Sequence, residues 1–421
     1  MTPAAGLPPE RVAAGLAERR LAQRRTSGEE YFAESAERLA ELCHRMAERF
    51  ARGGRLIAIG REPAARSDVR HVTVEFVHPV IVGKRALPAL GLTGDGAPLP
   101  VELSLIAMPE DIVMAFGEPG DRSGAELAGT LAAGRARGAL TVAFSRLGAE
   151  VELEPPTEDP FVRQELAETA YHVLWELVHV FFEHRGLLEG RAERRVHDVG
   201  ASSFLYPFLA EQESDLEAVL ADVAASAHMK FAEVCELREQ TLRGAHDALA
   251  AAATSLRQGL DGGGRLIALG NGGSATDATD VVADFLSPPV RPGRPPAAYG
   301  WPGRPAIDLG ADAAILTALA NDIGSEAIFA RQIIAHGKPG DTVLTLSTSG
   351  SSLSVLDALG EARRRGLETI ALVGYDGGRI GAEGLADHVI VSPSQYIPRI
   401  QEAQATVYHL LRELVECQEG W

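Results

Sequence analysis

Gly263-Gly264-Arg265-Leu266-Ile267-Ala268-Leu269-Gly270-Asn271-Gly272-Gly273-Ser274 decides the fold. A short apolar run ends in glycines and a serine, and a helical pattern opens directly behind it. Strand, tight turn and helix in that order build a parallel sheet covered by helices. The same opening stands earlier as Gly53-Gly54-Arg55-Leu56-Ile57-Ala58-Ile59-Gly60. A second segment also occurs twice, as Tyr171-His172-Val173-Leu174-Trp175-Glu176-Leu177-Val178 and as Tyr408-His409-Leu410-Leu411-Arg412-Glu413-Leu414-Val415. The chain reads as two copies of one α/β unit in tandem, each a doubly wound parallel sheet with long flanking helices.

Bulk properties agree. A chain of 421 residues exceeds one ordinary core, so two domains are expected, over 1–200 and 213–421. With 46% hydrophobic residues and mean hydropathy near zero, the chain is globular. A net charge of −18 argues against nucleic acid or an anionic membrane surface as a partner. Cys43, Cys235 and Cys417 have neither metal nor redox spacing and read as reduced packing thiols. Met1 to Arg20 lacks an apolar signal core and no run approaches membrane-spanning length, so a cytoplasmic protein is expected.

In the first copy, helix is expected over about 10–52, then strands at Arg55–Gly60, Ala86–Leu92, Ile112–Phe116 and Ala139–Phe144, and helices at Ala125–Gly138 and Glu165–His184. Residues 187–212 form the expected junction. Helix over Ser214–Leu260 opens the second copy. Strands Arg265–Gly270, Thr342–Ser347, Thr369–Gly374 and His388–Ser392 then alternate with helices Asp277–Leu286, Ser354–Gly366 and Arg399–Cys417. Pro288–Pro305 is rich in proline and glycine, an inserted loop or lid.

Two loops carry an anion signature. Gly270-Asn271-Gly272-Gly273-Ser274 and Ser347-Thr348-Ser349-Gly350-Ser351-Ser352 each follow a strand and open a helix. Glycines admit a ligand close to the backbone, and a helix N-terminus offers free N–H groups and a favourable dipole. Either loop alone is compatible with an ordinary glycine turn or serine cap; both together favour phosphate. No lysine follows the glycines, which excludes a Walker loop. The corresponding segment of the first copy, Phe116-Gly117-Glu118-Pro119-Gly120-Asp121, carries carboxylates instead and should repel phosphate.

Acid–base and metal-ligating residues concentrate in the first copy. His71 and Glu75 are one helical turn apart and share a face, as do Gln164 and His172 two turns apart. The second copy has Asp280 and Asp284 at the first pair and retains Gln401 and His409 at the second. Imidazole, carboxylate and amide oxygen suit a divalent metal, with zinc first. Without metal, Glu and His form an acid–base couple. The plainer alternatives are a surface pair for His71 and Glu75, and interhelical hydrogen bonding for Gln164 and His172.

These motifs resemble the SIS (sugar isomerase) domain, whose sheet is flavodoxin-like, and within it the phosphoheptose isomerase family. The resemblance is carried by Gly270–Ser274, Ala320-Asn321-Asp322-Ile323-Gly324, Leu346–Ser352 and Arg399-Ile400-Gln401-Glu402, and more faintly by Gly53–Gly60, His71–Phe76 and Gln164–His172. It implies conversion of sedoheptulose 7-phosphate to D-glycero-D-manno-heptose 7-phosphate through an enediol. It also implies Glu75 as base, His172 as acid, and zinc on His71, Glu75, Gln164 and His172. Substrate would meet Asn271, Gly272, Ser274, Asp322, Ser347, Thr348, Ser349, Ser352 and Gln401. A homodimer making a pseudo-tetramer of four such domains is expected, with its live site pairing the first copy's metal set with the second copy's loops. A mixed tetrad of His71, Glu75, Gln401 and His409 is the alternative.

The chain departs from the family in three places, the first being Asp280 and Asp284 of the second copy, which stand where the family has histidine and glutamate. Pro79 and Pro288 stand where the family has arginine, with Lys84, Arg85, Arg291 and Arg294 as candidate substitutes. Phe161 and Pro398 stand where the family has aspartate. These losses keep two other readings open: a non-catalytic sugar-phosphate sensor or regulator, and an isomerase of another ketose phosphate.

Overall fold

The computed structural model describes residues 9–80, 84–120, 122–183, 188, 215–289 and 301–416. Contacts divide them between two compact units. The N-terminal unit draws on Ser27–Thr157 and Leu166–Ala232, and the C-terminal unit on Met1–Thr26, Glu158–Glu165 and Glu233–Trp421. Nearly all of the expected junction at 187–212, residues 290–300 of the expected lid, and Cys417 lie outside the described residues.

The N-terminal unit holds strands β1 (Leu56–Gly60), β2 (Ala89–Leu92), β3 (Ile112–Phe116), β4 (Leu140–Ala143) and β5 (Val151–Glu152). They pair in parallel in the order β2-β1-β3-β4-β5. Every residue of β1, β3 and β4 is buried, as a strand covered on both faces requires. The helices are α1 (Pro9–Ala51), counted in this unit from Ser27, α2 (Pro63–Val77), α3 (Leu99–Ile106), α4 (Arg122–Ala136) and α5 (Pro160–Glu183), counted in this unit from Leu166. Ile57, Ile59, Val113 and Ala115 pack one sheet face against Leu103, Leu127 and Leu131. β2 begins later than expected because Pro88 offers no N–H; its carbonyl instead accepts from Leu56 at 2.9 Å. α5 begins earlier than expected because Pro160 suits a first turn and the Asp159 carboxylate accepts from Phe161 N–H at 3.1 Å.

The C-terminal unit repeats the scheme. After α6 (Leu216–Asp261) come β6 (Leu266–Gly270), α7 (Gly273–Leu286), β7 (Ala306–Asp308), α8 (Ala313–Asp322), α9 (Ala330–His336), β8 (Thr342–Ser347), α10 (Leu353–Arg364), β9 (Glu368–Val373), α11 (Gly378–Glu383), β10 (His388–Val391) and α12 (Ile397–Glu416). Strand order is β10-β9-β8-β6-β7, all parallel. Counted from its own first strand, each sheet therefore has the doubly wound order second-first-third-fourth-fifth. Leu266, Ala268, Leu344 and Ile370 pack one face with Val281, Phe285 and Leu411. Ile267, Leu269, Val343 and Ala371 pack the other with Ile333, Val355 and Leu359.

The repeated Gly-Gly-Arg has a physical cause. A Cβ on Gly264 would stand 1.9 Å from the Gly340 carbonyl oxygen, and one on Gly54 2.0 Å from that of Glu110. No other residue fits where the helix exit crosses the turn before the third strand. The following arginine then closes onto an aspartate beside that strand. Arg55 N–H donates to Asp111 at 2.9 Å, and Arg265 N–H to Asp341 at 3.0 Å.

Candidate active site

The two hydroxyl-bearing loops lie side by side. β6 and β8 are adjacent, with Gly270 in register with Leu346, and the chain leaves them for opposite flanks of the sheet. Their carboxyl ends form the switch-point crevice, where ligands of doubly wound sheets bind. Asn271 Nδ2 donates to Ser354 Oγ at 3.0 Å, tying one loop to the helix that follows the other. Within the second loop, Ser347 Oγ accepts from Gly350 N–H and Ser349 Oγ from Ser351 N–H, each at 3.2 Å. Ser352 stands at the N-cap of α10 but makes no side-chain cap bond, so its hydroxyl is not used as a cap. Gly272 caps α7 with φ of 59°, and Ser274, in the first turn, is buried. Asn271, Gly272, Ser274, Ser347, Thr348, Ser349 and Ser352 are thus gathered at one sheet edge. Asp322 is exposed at the end of α8 and accepts from Asn321 at 2.7 Å.

Each unit also contains a buried histidine–carboxylate cluster. In the N-terminal unit, His71, Glu168 and His172 bring one ligand atom each within 4.8 Å of one another. His172 Nε2 lies 3.3 Å from His71 Nε2, and Glu75 Oε1 lies 4.0 Å from the latter atom. His71 and Glu75 are each only 2% exposed, which rules out the surface-pair reading. Burial, reinforced by His172, holds the His71 pKa well below the usual value, so His71 is neutral, as a metal ligand must be. Burial raises the Glu75 pKa to about 7, although His172 pulls it down; Glu176 adds to the rise. Glu75 Oε2 is buried without a hydrogen-bond partner among the described residues. The two imidazoles and the Glu168 carboxylate suit a zinc ion, whereas Glu75, expected among the ligands, lies near His71 but outside this set of three. Gln164, expected among the ligands, is half-buried two turns before His172 on α5. Glu168 was missed by sequence reasoning. Its signal was its position one turn before His172, on the same helix face.

In the C-terminal unit the cluster is Asp280, Asp284 and His409. His409 Nε2 lies 3.6 Å from Asp280 and 3.5 Å from Asp284. Tyr408 OH donates to Asp280 at 2.9 Å. His409 Nδ1 faces Glu165 at 2.8 Å, and Phe161 stacks on its ring at 4.3 Å. Burial opposes charge on this imidazole, but Asp280, Glu165 and Asp284 prevail and raise its pKa to about 9. Glu165 also accepts from Thr406 at 2.6 Å and forks with Arg24 at 2.5 and 2.7 Å. Burial disfavours the Glu165 carboxylate, but Arg24 and His409 hold its pKa well below the usual range. Gln401 is buried on α12, two turns before His409.

The candidate replacements for the lost arginine are engaged or undescribed. Lys84 donates to the Glu176 carbonyl at 2.6 Å and lies 5.1 Å from the Trp175 ring. Arg85 stacks 4.1 Å over Phe182. Arg291 and Arg294, like Asp121 of the acidic segment, lie outside the described residues.

Residues 231–374 match the SIS domain. Over 186 residues the chain is 39% identical to a phosphoheptose isomerase of Thermodesulfovibrio yellowstonii, covering 44% of this chain and 88% of that protein. Over 190 residues it is 41% identical to one from Geobacter metallireducens, covering 45% and 92%. The C-terminal domain of glucosamine-fructose-6-phosphate aminotransferase from Francisella tularensis superposes with a TM-score of 0.52 at 10% identity, over 92% of this chain and 95% of that one. That likeness, a matter of fold alone, spans both sheets. Among the described residues no helix is long and apolar enough to cross a membrane. The chain belongs to the phosphoheptose isomerase family of SIS-domain sugar-phosphate isomerases.

Proposed function

We propose that the protein interconverts sedoheptulose 7-phosphate and D-glycero-D-manno-heptose 7-phosphate through an enediol. The observation that carries this reading is the pair of hydroxyl-bearing loops, bridged by Asn271 and Ser354, at the switch point of the C-terminal sheet. Their helix N-termini and hydroxyls suit a terminal phosphate. The relatives' shared name supplies the heptose.

The reaction needs a base to remove a proton from C1 and return it to C2. It also needs a group to move a proton between O1 and O2. We assign the carbon proton to Glu75 and the oxygen proton to His172. A carboxylate with a pKa of about 7 is suited to accepting and returning a proton near neutrality. His71, Glu75 and His172, with Glu168 beside them and Gln164 as a further donor, would hold zinc. The ion would polarise the substrate oxygens. A second assignment gives the proton transfers to Asp284 and His409, and one observation favours it: this pair shares a unit with the phosphate loops.

Turnover of sedoheptulose 7-phosphate by the purified chain tests the function, and three variants test the roles. Glu75→Gln should lower kcat roughly 10²- to 10⁴-fold, and Ser349→Ala should mainly raise KM. If Asp284→Asn abolishes turnover and Glu75→Gln does not, the chemistry belongs to the C-terminal cluster. Binding of the sugar phosphate without turnover would support a non-catalytic sensor. We also propose a homodimer, which light scattering would show as twice the 44.6 kDa chain mass.

A further inference from the structure

A cleft of about 530 Å³ lies in the C-terminal unit between the start of α1 and the middle of α6. That volume is in the range of small-molecule sites. Leu21 and Leu242 provide an apolar wall. Four arginines line the cleft, Arg24, Arg25, Arg238 and Arg243, against the two carboxylates Glu18 and Glu239. A local excess of positive charge is notable in a chain of net charge −18.

The arginines are short of carboxylate partners in two layers. At the rim, Arg25 and Arg243 share one carboxylate, Glu239. At the floor, Arg24 and Arg238 share one carboxylate, Glu165, and Arg24 holds both of its oxygens. Arg238 stands 3.7 Å from Glu165, and its Nη2 reaches the Glu402 carbonyl at 3.5 Å. Its Nε and Nη1 have no hydrogen-bond partner among the described residues, although the residue is only 1% exposed. The nearby acids Asp159 and Glu413 are engaged by Arg20, at 3.4 and 2.9 Å. A guanidinium stays charged in proteins, and a buried one lacking acceptors is costly. An oxyanion satisfies both requirements, since arginine forks match phosphate and carboxylate alike.

We propose that this cleft binds a small organic anion headed by phosphate or carboxylate, with Arg238 as its buried anchor. Carbon atoms of the ligand would rest on Leu21 and Leu242. The site is separate from the loops at the sheet edge and does not depend on the isomerase reading.

Cys235 lines the cleft and is half-buried, so its alkylation reports occupancy. The full chain would be treated with iodoacetamide, a neutral reagent, with and without inorganic phosphate or succinate, and Cys235 followed by peptide mass spectrometry. Protection of severalfold by either anion is expected, and the more effective one identifies the head group. Ser349→Ala should retain this protection, and Arg238→Gln should lose it. Should Arg238→Gln fail to fold, Arg243→Glu at the rim should weaken protection. No protection by either anion, or full protection in both arginine variants, would overturn the proposal.

Discussion

Glu165 is the hub of the C-terminal unit's buried charges, and its removal has a calculable consequence. Glu165→Gln keeps the shape but removes the one carboxylate that Arg24 holds at 2.5 Å, Arg238 faces at 3.7 Å and His409 meets at 2.8 Å. Leaving a buried ion without its partner costs about 3–5 kcal/mol. That is a large part of the roughly 5–15 kcal/mol that holds a domain together. Arg24→Met should cost less, because Arg238 and His409 still face the carboxylate. In the double variant, Arg24 is no longer present as a stranded charge, so its cost should fall below the sum of the two by about 1–3 kcal/mol. Urea unfolding of the four proteins at pH 7, followed by circular dichroism, measures the cycle. Costs that add to within about 0.5 kcal/mol would refute a shared charge balance.

Glu75 should give a stability that declines as pH rises. Its folded pKa, about 7, exceeds the ordinary carboxylate value, so the folded state holds a proton that the unfolded chain has lost. The contribution is fully present below about pH 4.5 and declines through pH 7, by about 3 kcal/mol in all. Urea midpoints of the metal-free protein should show this, and Glu75→Gln should flatten it. Gly350→Ala should destabilise by at least about 1–2 kcal/mol through its positive φ alone. Its Cβ would also stand 2.3 Å from the Gly377 carbonyl oxygen, so KM for the sugar phosphate should rise as the loop shifts. Cys43, whose thiol pKa is raised by burial, should alkylate far more slowly than Cys235 in the native protein, on a time course read by mass spectrometry.

The sequence disclosed the repeat, the longest helices and the strands flanking the switch point, because all rest on local patterns. A strand of continuous apolar residues between glycines, such as Leu266–Gly270, reads almost residue by residue. β5, with two residues, and β7, with three, are too short to leave a period, and α8 buries no residue that would mark a face. The two hydroxyl-bearing loops were legible because each is a single stretch of chain. The Glu165 network was not. Its partners Arg24 and His409 lie 141 and 244 positions away, and nothing local distinguishes Glu165 from a surface glutamate. Glu168 shows the intermediate case: its spacing to His172 was visible, but only packing shows that His71 joins them.

The two sheets share one strand order yet carry different side chains at matching places, His71 against Asp280 and Glu75 against Asp284. In an assembly of identical single-domain chains, any mutation is imposed on every copy at once. A variant that improves one position while harming its symmetry mate is then seldom retained. Covalent fusion of two copies removes that coupling, because each position can vary alone. Asp280 and Asp284 are substitutions that such freedom permits, and further asymmetry should collect at the remaining matched positions.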